Sequence, residues 1–156
     1  MLEVKNVTKK FGRKRVLDGV SFTANKGEIT CLIGINGVGK TTIMKAILGL
    51  TPINGGEIFI DGEKRTKATY EKLTFIPDAL AMLPNLTIMQ AMEFMADFYD
   101  SWNQDRADDL LQFFKLNEED RISTLSKGNT AKVNLLLGLA QDADYVLMDE
   151  PFSGID

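Results

Sequence analysis

The stretch Gly34-Ile35-Asn36-Gly37-Val38-Gly39-Lys40-Thr41 constrains this chain more than any other. It follows the pattern G-x-x-x-x-G-K-[ST], which carries meaning only between a strand and a helix. Before it runs Glu28-Ile29-Thr30-Cys31-Leu32-Ile33, a short run with β-branched residues that predicts a buried strand. After it, Ile43, Met44, Ile47, Leu48 and Leu50 fall at helical spacing, and Gly49 with Pro52 supply stop signals. Strand, glycine loop and helix therefore come in the required order.

The residue types suit phosphate. Glycines let the backbone turn tightly and aim successive N–H groups at phosphate oxygens, while the following helix start adds partial positive charge. Lys40 supplies a point charge for the β- and γ-phosphates, and the Thr41 hydroxyl suits Mg²⁺. The candidate nucleotide contacts from this motif are Gly34, Asn36, Gly37, Gly39, Lys40, Thr41 and Thr42. A glycine-rich turn that binds nothing is the competing reading.

With 156 residues the chain suits one domain, numbered 1–156, which buries roughly two-thirds of the surface its unfolded form exposes. A net charge of −4 argues against a general nucleic-acid-binding surface, and no nucleic-acid partner is expected. The single cysteine, Cys31, lies in the predicted strand and is expected to be a small core residue in a reducing compartment. The start, Met1 to Lys5, lacks the apolar region of a signal peptide, and no apolar run approaches the ~18 residues of a membrane span. These features predict a cytosolic chain whose membrane part, if it serves one, is another polypeptide.

Residues 2–33 read as strands and turns, with Asn25-Lys26-Gly27 predicting a hairpin between Val20–Thr23 and Ile29–Leu32. Further strands are predicted at Glu57–Ile60, before the turn Asp61-Gly62, and at Lys72–Ile76, stopped by Pro77. The region of about 80–130 reads as a helical insertion. Thr87 is placed to cap a helix whose apolar face holds Ile88, Met89, Met92, Met95 and Ala96. Asp105 precedes a second helix with Ala107, Leu110, Leu111 and Phe114 inward. The cluster Met82, Met89, Met92, Met95, Phe94, Phe98 and Tyr99 suits either core filling, the favoured reading, or a partner-binding surface. From Asn129 to Gln141 the pattern is helical again, with Val133, Leu136, Leu137 and Ala140 on one face.

Tyr145-Val146-Leu147-Met148 then forms a predicted buried strand that delivers Asp149 and Glu150 at its C-terminal end. Ligands bind at that end of an open parallel sheet. In a P-loop nucleotidase an aspartate so placed helps hold Mg²⁺, and the adjacent Glu150 is suited to orient the attacking water or take its proton. An acidic turn after a strand is the plain alternative. The third piece, Leu125-Ser126-Lys127-Gly128-Asn129, opens a helix and taken alone is a capped N-terminus.

Together these three motifs resemble the nucleotide-binding subunit of ATP-binding-cassette (ABC) transporters, across nearly the whole chain. Leu125 to Asn129 is similar to that family's LSGGQ signature, and Ser153-Gly154-Ile155-Asp156 to its D-loop. The resemblance implies an α/β fold: a P-loop core with a mostly parallel sheet, an antiparallel β-subdomain and an inserted helical subdomain. It implies an ATPase using ATP and Mg²⁺ as a head-to-tail homo- or heterodimer. Ser126, Lys127, Gly128 and Asn129 of one subunit would close over the nucleotide of the other. Thr41 and Asp149 would serve the metal, and Glu150 and Lys40 catalysis. Phe11, within Lys9-Lys10-Phe11-Gly12, matches the aromatic that stacks on adenine, with an ordinary exposed strand aromatic as the alternative. A separate permease would be the partner, holding the chain at the inner face of the cell membrane.

Three departures from the family pattern stand out. Lys127 and Asn129 replace the usual glycine and glutamine. Asp78, in Phe75-Ile76-Pro77-Asp78, falls where a glutamine contacts Mg²⁺ and the attacking water, so it is a candidate for both metal and catalysis. Third, the chain holds no histidine and stops at Asp156, before the family's switch histidine. A shortened chain that binds nucleotide but hydrolyses it poorly is the expectation. The rivals are a translation- or DNA-repair-type ABC ATPase, which should carry two cassettes or a coiled-coil insertion, and a regulatory nucleotide-binding module with weak hydrolysis.

Overall fold

Leu2 and Val4 alternate inward along the first strand, Asn6 at φ 50° shifts the register, and Val7 and Lys9 then continue the inward face. The computed structural model describes residues 1–33 and 39–151 and divides into two compact units, one running to Leu73 and the other starting at Thr74. In the first unit, β1 (Leu2–Phe11) and β2 (Lys14–Ala24) form an antiparallel hairpin closed by Gly12 and Arg13. The helix α1 (Lys40–Ile47) buries Ile43, Ala46 and Ile47. β3 (Gly55–Ile60) pairs with the other edge of β1, and β4 (Glu63–Lys64) completes a four-stranded antiparallel sheet in the order β2-β1-β3-β4. Asp61 and Gly62, at φ 52° and 81°, make the turn between β3 and β4 that their residue types favour. The short helix α2 (Lys67–Tyr70) follows.

One expectation fails in this unit. The turn at Asn25-Lys26-Gly27 does form, with Glu28 N–H donating to the Asn25 carbonyl at 3.3 Å, but no strand returns from it. Glu28–Ile33 pairs with no described strand, and Ile29 and Ile33 are 100% and 92% exposed. Cys31 is exposed rather than a core residue. The physical reason is that β-branched composition favours a pleated, half-buried surface and cannot create a strand without a paired neighbour.

In the second unit, β5 (Leu73–Ile76) and β6 (Tyr145–Met148) form a two-stranded parallel sheet. Helices α3 (Ile88–Phe98), α4 (Gln104–Phe114) and α5 (Lys127–Leu139) enclose a core of Ile88, Met92, Leu111, Val133, Leu136 and Leu137. Thr87 caps α3 in a reciprocal box with Gln90. The cap of α4 is Asn103, whose side chain accepts from Arg106 N–H; Asp105 lies inside the first turn. The inward face of α4 is Ala107 and Leu111, flanked by half-buried Leu110 and Phe114. On α3 the buried residues are Ile88, Ala91 and Met92, whereas Met89 and Ala96 are exposed. The methionine and aromatic cluster therefore divides: Met92 fills core, Met82 and Met95 lie half-buried against it, and Phe94 and Phe98 stand at the surface.

Candidate functional site

The first unit carries the candidate phosphate-loop residues. Gly39 opens α1 at φ 96°, a conformation L-residues avoid. A side chain there would also crowd the β2 backbone, since an added Cβ would lie 2.8 Å from Leu17 Cδ2 and 3.0 Å from the Val16 carbonyl oxygen. Glycine is thus required at this position twice over. A further consequence is that α1 starts on a residue with no capping side chain, whereas α2, α3, α4 and α5 are capped by Thr66, Thr87, Asn103 and Ser126. A helix start without a side-chain acceptor suits an external anion. Lys40 and Thr42 are half-buried in its first turn and Thr41 is exposed. The helix is held at its far end by Arg65, whose guanidinium donates to the Ala46 carbonyl. Gly34, Asn36 and Gly37 lie outside the described residues, as does the D-loop candidate Ser153 to Asp156.

Phe11 closes β1 and is 51% exposed, with the Lys9 ammonium 4.9 Å from its ring centroid. Lys9 itself is buried, so its charge is held against the aromatic face while the rest of the ring remains open to solvent.

The second unit carries the acidic candidates. Asp149, half-buried, follows β6, and its N–H donates to the Ile76 carbonyl of β5 at 3.0 Å. This bond brings the end of β6 to the end of β5, two residues before Asp78. Asp78 is exposed in the turn after Pro77. Glu150 is exposed and sits at φ 47°, a left-handed conformation that costs a non-glycine residue roughly 1–3 kcal/mol. Oxygen donors such as Asp149 and the Thr41 hydroxyl are of the hard type that Mg²⁺ takes.

The same unit holds the signature candidates. Ser126 caps α5, its hydroxyl oxygen accepting from Asn129 N–H at 3.1 Å, and its carbonyl takes the Thr130 hydroxyl at 2.9 Å. Accepting through oxygen leaves the Ser126 O–H able to donate outward. Lys127 is exposed in the first turn, with Gly128 and Asn129 half-buried behind it. Sequence reasoning overlooked Asn134, a buried amide among Val133, Leu135, Leu136 and Leu137. A polar residue interrupting so apolar a run was the available signal.

A match to the ABC transporter family model spans residues 17–153. The chain belongs to the ABC transporter family. This cassette is 34% identical over 164 residues to the linearmycin resistance ATP-binding protein LnrL of Bacillus subtilis (strain 168), a match covering 100% of the cassette and 53% of LnrL. Among solved structures, an ATP-binding subunit of an ABC transporter matches with a TM-score of 0.87 at 29% identity, covering 100% of the cassette and 68% of that chain. A dimeric post-hydrolysis state of the ATP-binding cassette MJ0796 bound to ADP and Pi matches at 0.82 and 25% identity, over 100% of the cassette and 76% of that chain. The cassette spans between 53% and 66% of the length of three curated relatives. Its fold is thus that of the P-loop NTPases of ABC ATPases, with an antiparallel sheet and a parallel one, and its relatives are transporter ATP-binding subunits.

Proposed function

We propose that the cassette is the ATPase subunit of a membrane transporter, binding and hydrolysing MgATP at a head-to-tail dimer interface to drive a separate permease. The observation that carries this reading is that one chain holds both kinds of half-site: a glycine-opened helix start at Gly39-Lys40-Thr41 and a serine-capped one at Ser126. In a head-to-tail pair, the first would hold the triphosphate and the second would close over it from the partner copy. The dimeric state bound to ADP and Pi belongs to a relative, and it supports a paired arrangement here.

In this reading Lys40 and the α1 N–H groups orient the β- and γ-phosphates, and Thr41 and Asp149 hold Mg²⁺, which supplies charge neutralisation when bound. Glu150 orients the attacking water and takes its proton, and Asp78 acts on the metal through water. Phe11 receives the adenine on its open face. Ser126 donates its O–H toward the γ-phosphate of the opposing subunit. The permease would meet the apolar groove of about 630 Å³ bordered by Pro77, Leu80, Leu83, Phe94 and Met95, where Leu83 and Phe94 stand exposed. Among the described residues no helix is long and apolar enough to cross a membrane, so membrane attachment is assigned to that partner.

A Glu150→Gln variant tests the enzyme reading. With MgATP it is expected to shift from monomer to dimer in size-exclusion chromatography and to retain ATP, because closure proceeds and hydrolysis does not. A regulatory nucleotide-binding module is the second reading, favoured by Asp78 and Lys127. It predicts no change in oligomeric state for that variant.

A further inference from the structure

Asn134 and Gly138 of α5, and Gln141 just beyond its C-terminal cap, meet β5 and the residue after it in order. The Asn134 Nδ2 amide donates to the Pro77 carbonyl at 2.7 Å. One turn on, Gly138 lies so close to Ile76 that an added Cβ would sit 2.3 Å from Ile76 Cγ1. Further along, the Gln141 Oε1 accepts from the Thr74 hydroxyl at 2.8 Å. A spacing of four residues puts Asn134 and Gly138 on one face of α5, and Gln141 follows just past the helix end. Two side-chain hydrogen bonds and a glycine contact therefore fix the register of the signature-bearing helix against the strand that leads to Asp78.

Asn134 has the greatest reach of the three. It is 8% exposed in an otherwise apolar stretch, where an amide is costly unless it finds a partner. Its partner is the carbonyl directly preceding Asp78. Proline has no N–H, so Pro77 cannot extend the β5 ladder as a donor, and this carbonyl is the attachment point for the turn. The preceding carbonyl, that of Ile76, is already taken by Asp149 N–H. Successive carbonyls thus tie the Asp78 turn to β6 on one side and to α5 on the other.

We propose that Asn134 is a positioning residue for Asp78: through the Pro77 carbonyl it couples the placement of the signature helix to the placement of the Asp78 carboxylate. The inference rests on the reading of Asp78 as a metal-site group. Any displacement of the Ser126 end of α5 is then transmitted to Asp78 through one side chain.

The test uses the full chain and a fluorescent ATP analogue, titrated with excess Mg²⁺ and again with EDTA. The unaltered chain should bind more tightly with Mg²⁺. Asn134→Leu and Asp78→Asn should each reduce that Mg²⁺-dependent gain by about fivefold, in line with loss of one hydrogen bond, with Mg²⁺-free affinity unchanged. The double variant should lose no more than either single one, since both act through the same carboxylate. A full Mg²⁺ gain in Asn134→Leu, additive losses in the double variant, or no gain in the unaltered chain overturns the inference alone. No binding by the unaltered chain under either condition overturns the nucleotide-site reading and the inference with it. If Asn134→Leu does not fold, as judged by its melting transition, Asn134→Ala replaces it, removing the donor without adding bulk or charge.

Discussion

Phe11 shows what a single residue discloses and what it conceals. Its match to the family's adenine-stacking aromatic makes it a candidate for the adenine, and it stands exposed at the end of β1. The buried Lys9 ammonium against its ring was hidden from sequence, because an aromatic two residues along a strand says nothing of which side chains reach across. Removing the ring by Phe11→Ala should weaken ATP-analogue binding by about 1–2 kcal/mol, the scale of one base–aromatic stack, while Phe11→Trp should preserve it. Fluorescence titration of both variants checks this, and equal weakening in the two would assign Phe11 to structure. Gly39 was legible from the motif as a phosphate-loop glycine. Its second constraint, the closeness of Leu17 and Val16, depends on a tertiary contact that no local pattern encodes.

At the scale of elements, legibility followed how much of each element's cause is local. Helix α3 was readable because Thr87 and Gln90 write their capping box into four consecutive residues, and β6 because an apolar run ends abruptly in Asp149 and Glu150. Glu28–Ile33 misled because its composition is that of a strand, whereas pairing is a property of neighbours. The register of α5 on β5 escaped notice since it rests on Asn134, Gly138 and Gln141, only one of which breaks the apolar pattern sharply. Two stability predictions belong here. Ser126→Ala removes the acceptor for Asn129 N–H and should cost about 1 kcal/mol, a melting temperature lower by roughly 2–4 °C. Gly138→Ala forces a methyl into Ile76 and should cost about 1–3 kcal/mol despite the better helix propensity of alanine. Thermal melts of the two variants decide both, and a stabilised Gly138→Ala would contradict the close packing of α5.

On the scale of the whole molecule, the candidate site residues fall in two units, Gly39, Lys40 and Thr41 in one and Asp78, Asp149, Glu150 and Ser126 in the other. Every part of that inventory was visible as sequence motif. The family match over residues 17–153 supplies the context that makes the motifs a cassette. If Gly39-Lys40-Thr41 starts a triphosphate-binding helix, calorimetric titration of the whole chain with MgATP reads that binding as heat. Saturable binding is expected, weakened by about 2–3 kcal/mol, or roughly 30- to 150-fold, in Lys40→Met, since a charge-assisted contact to phosphate is lost. Equal affinity in the unaltered and Lys40→Met chains would contradict it.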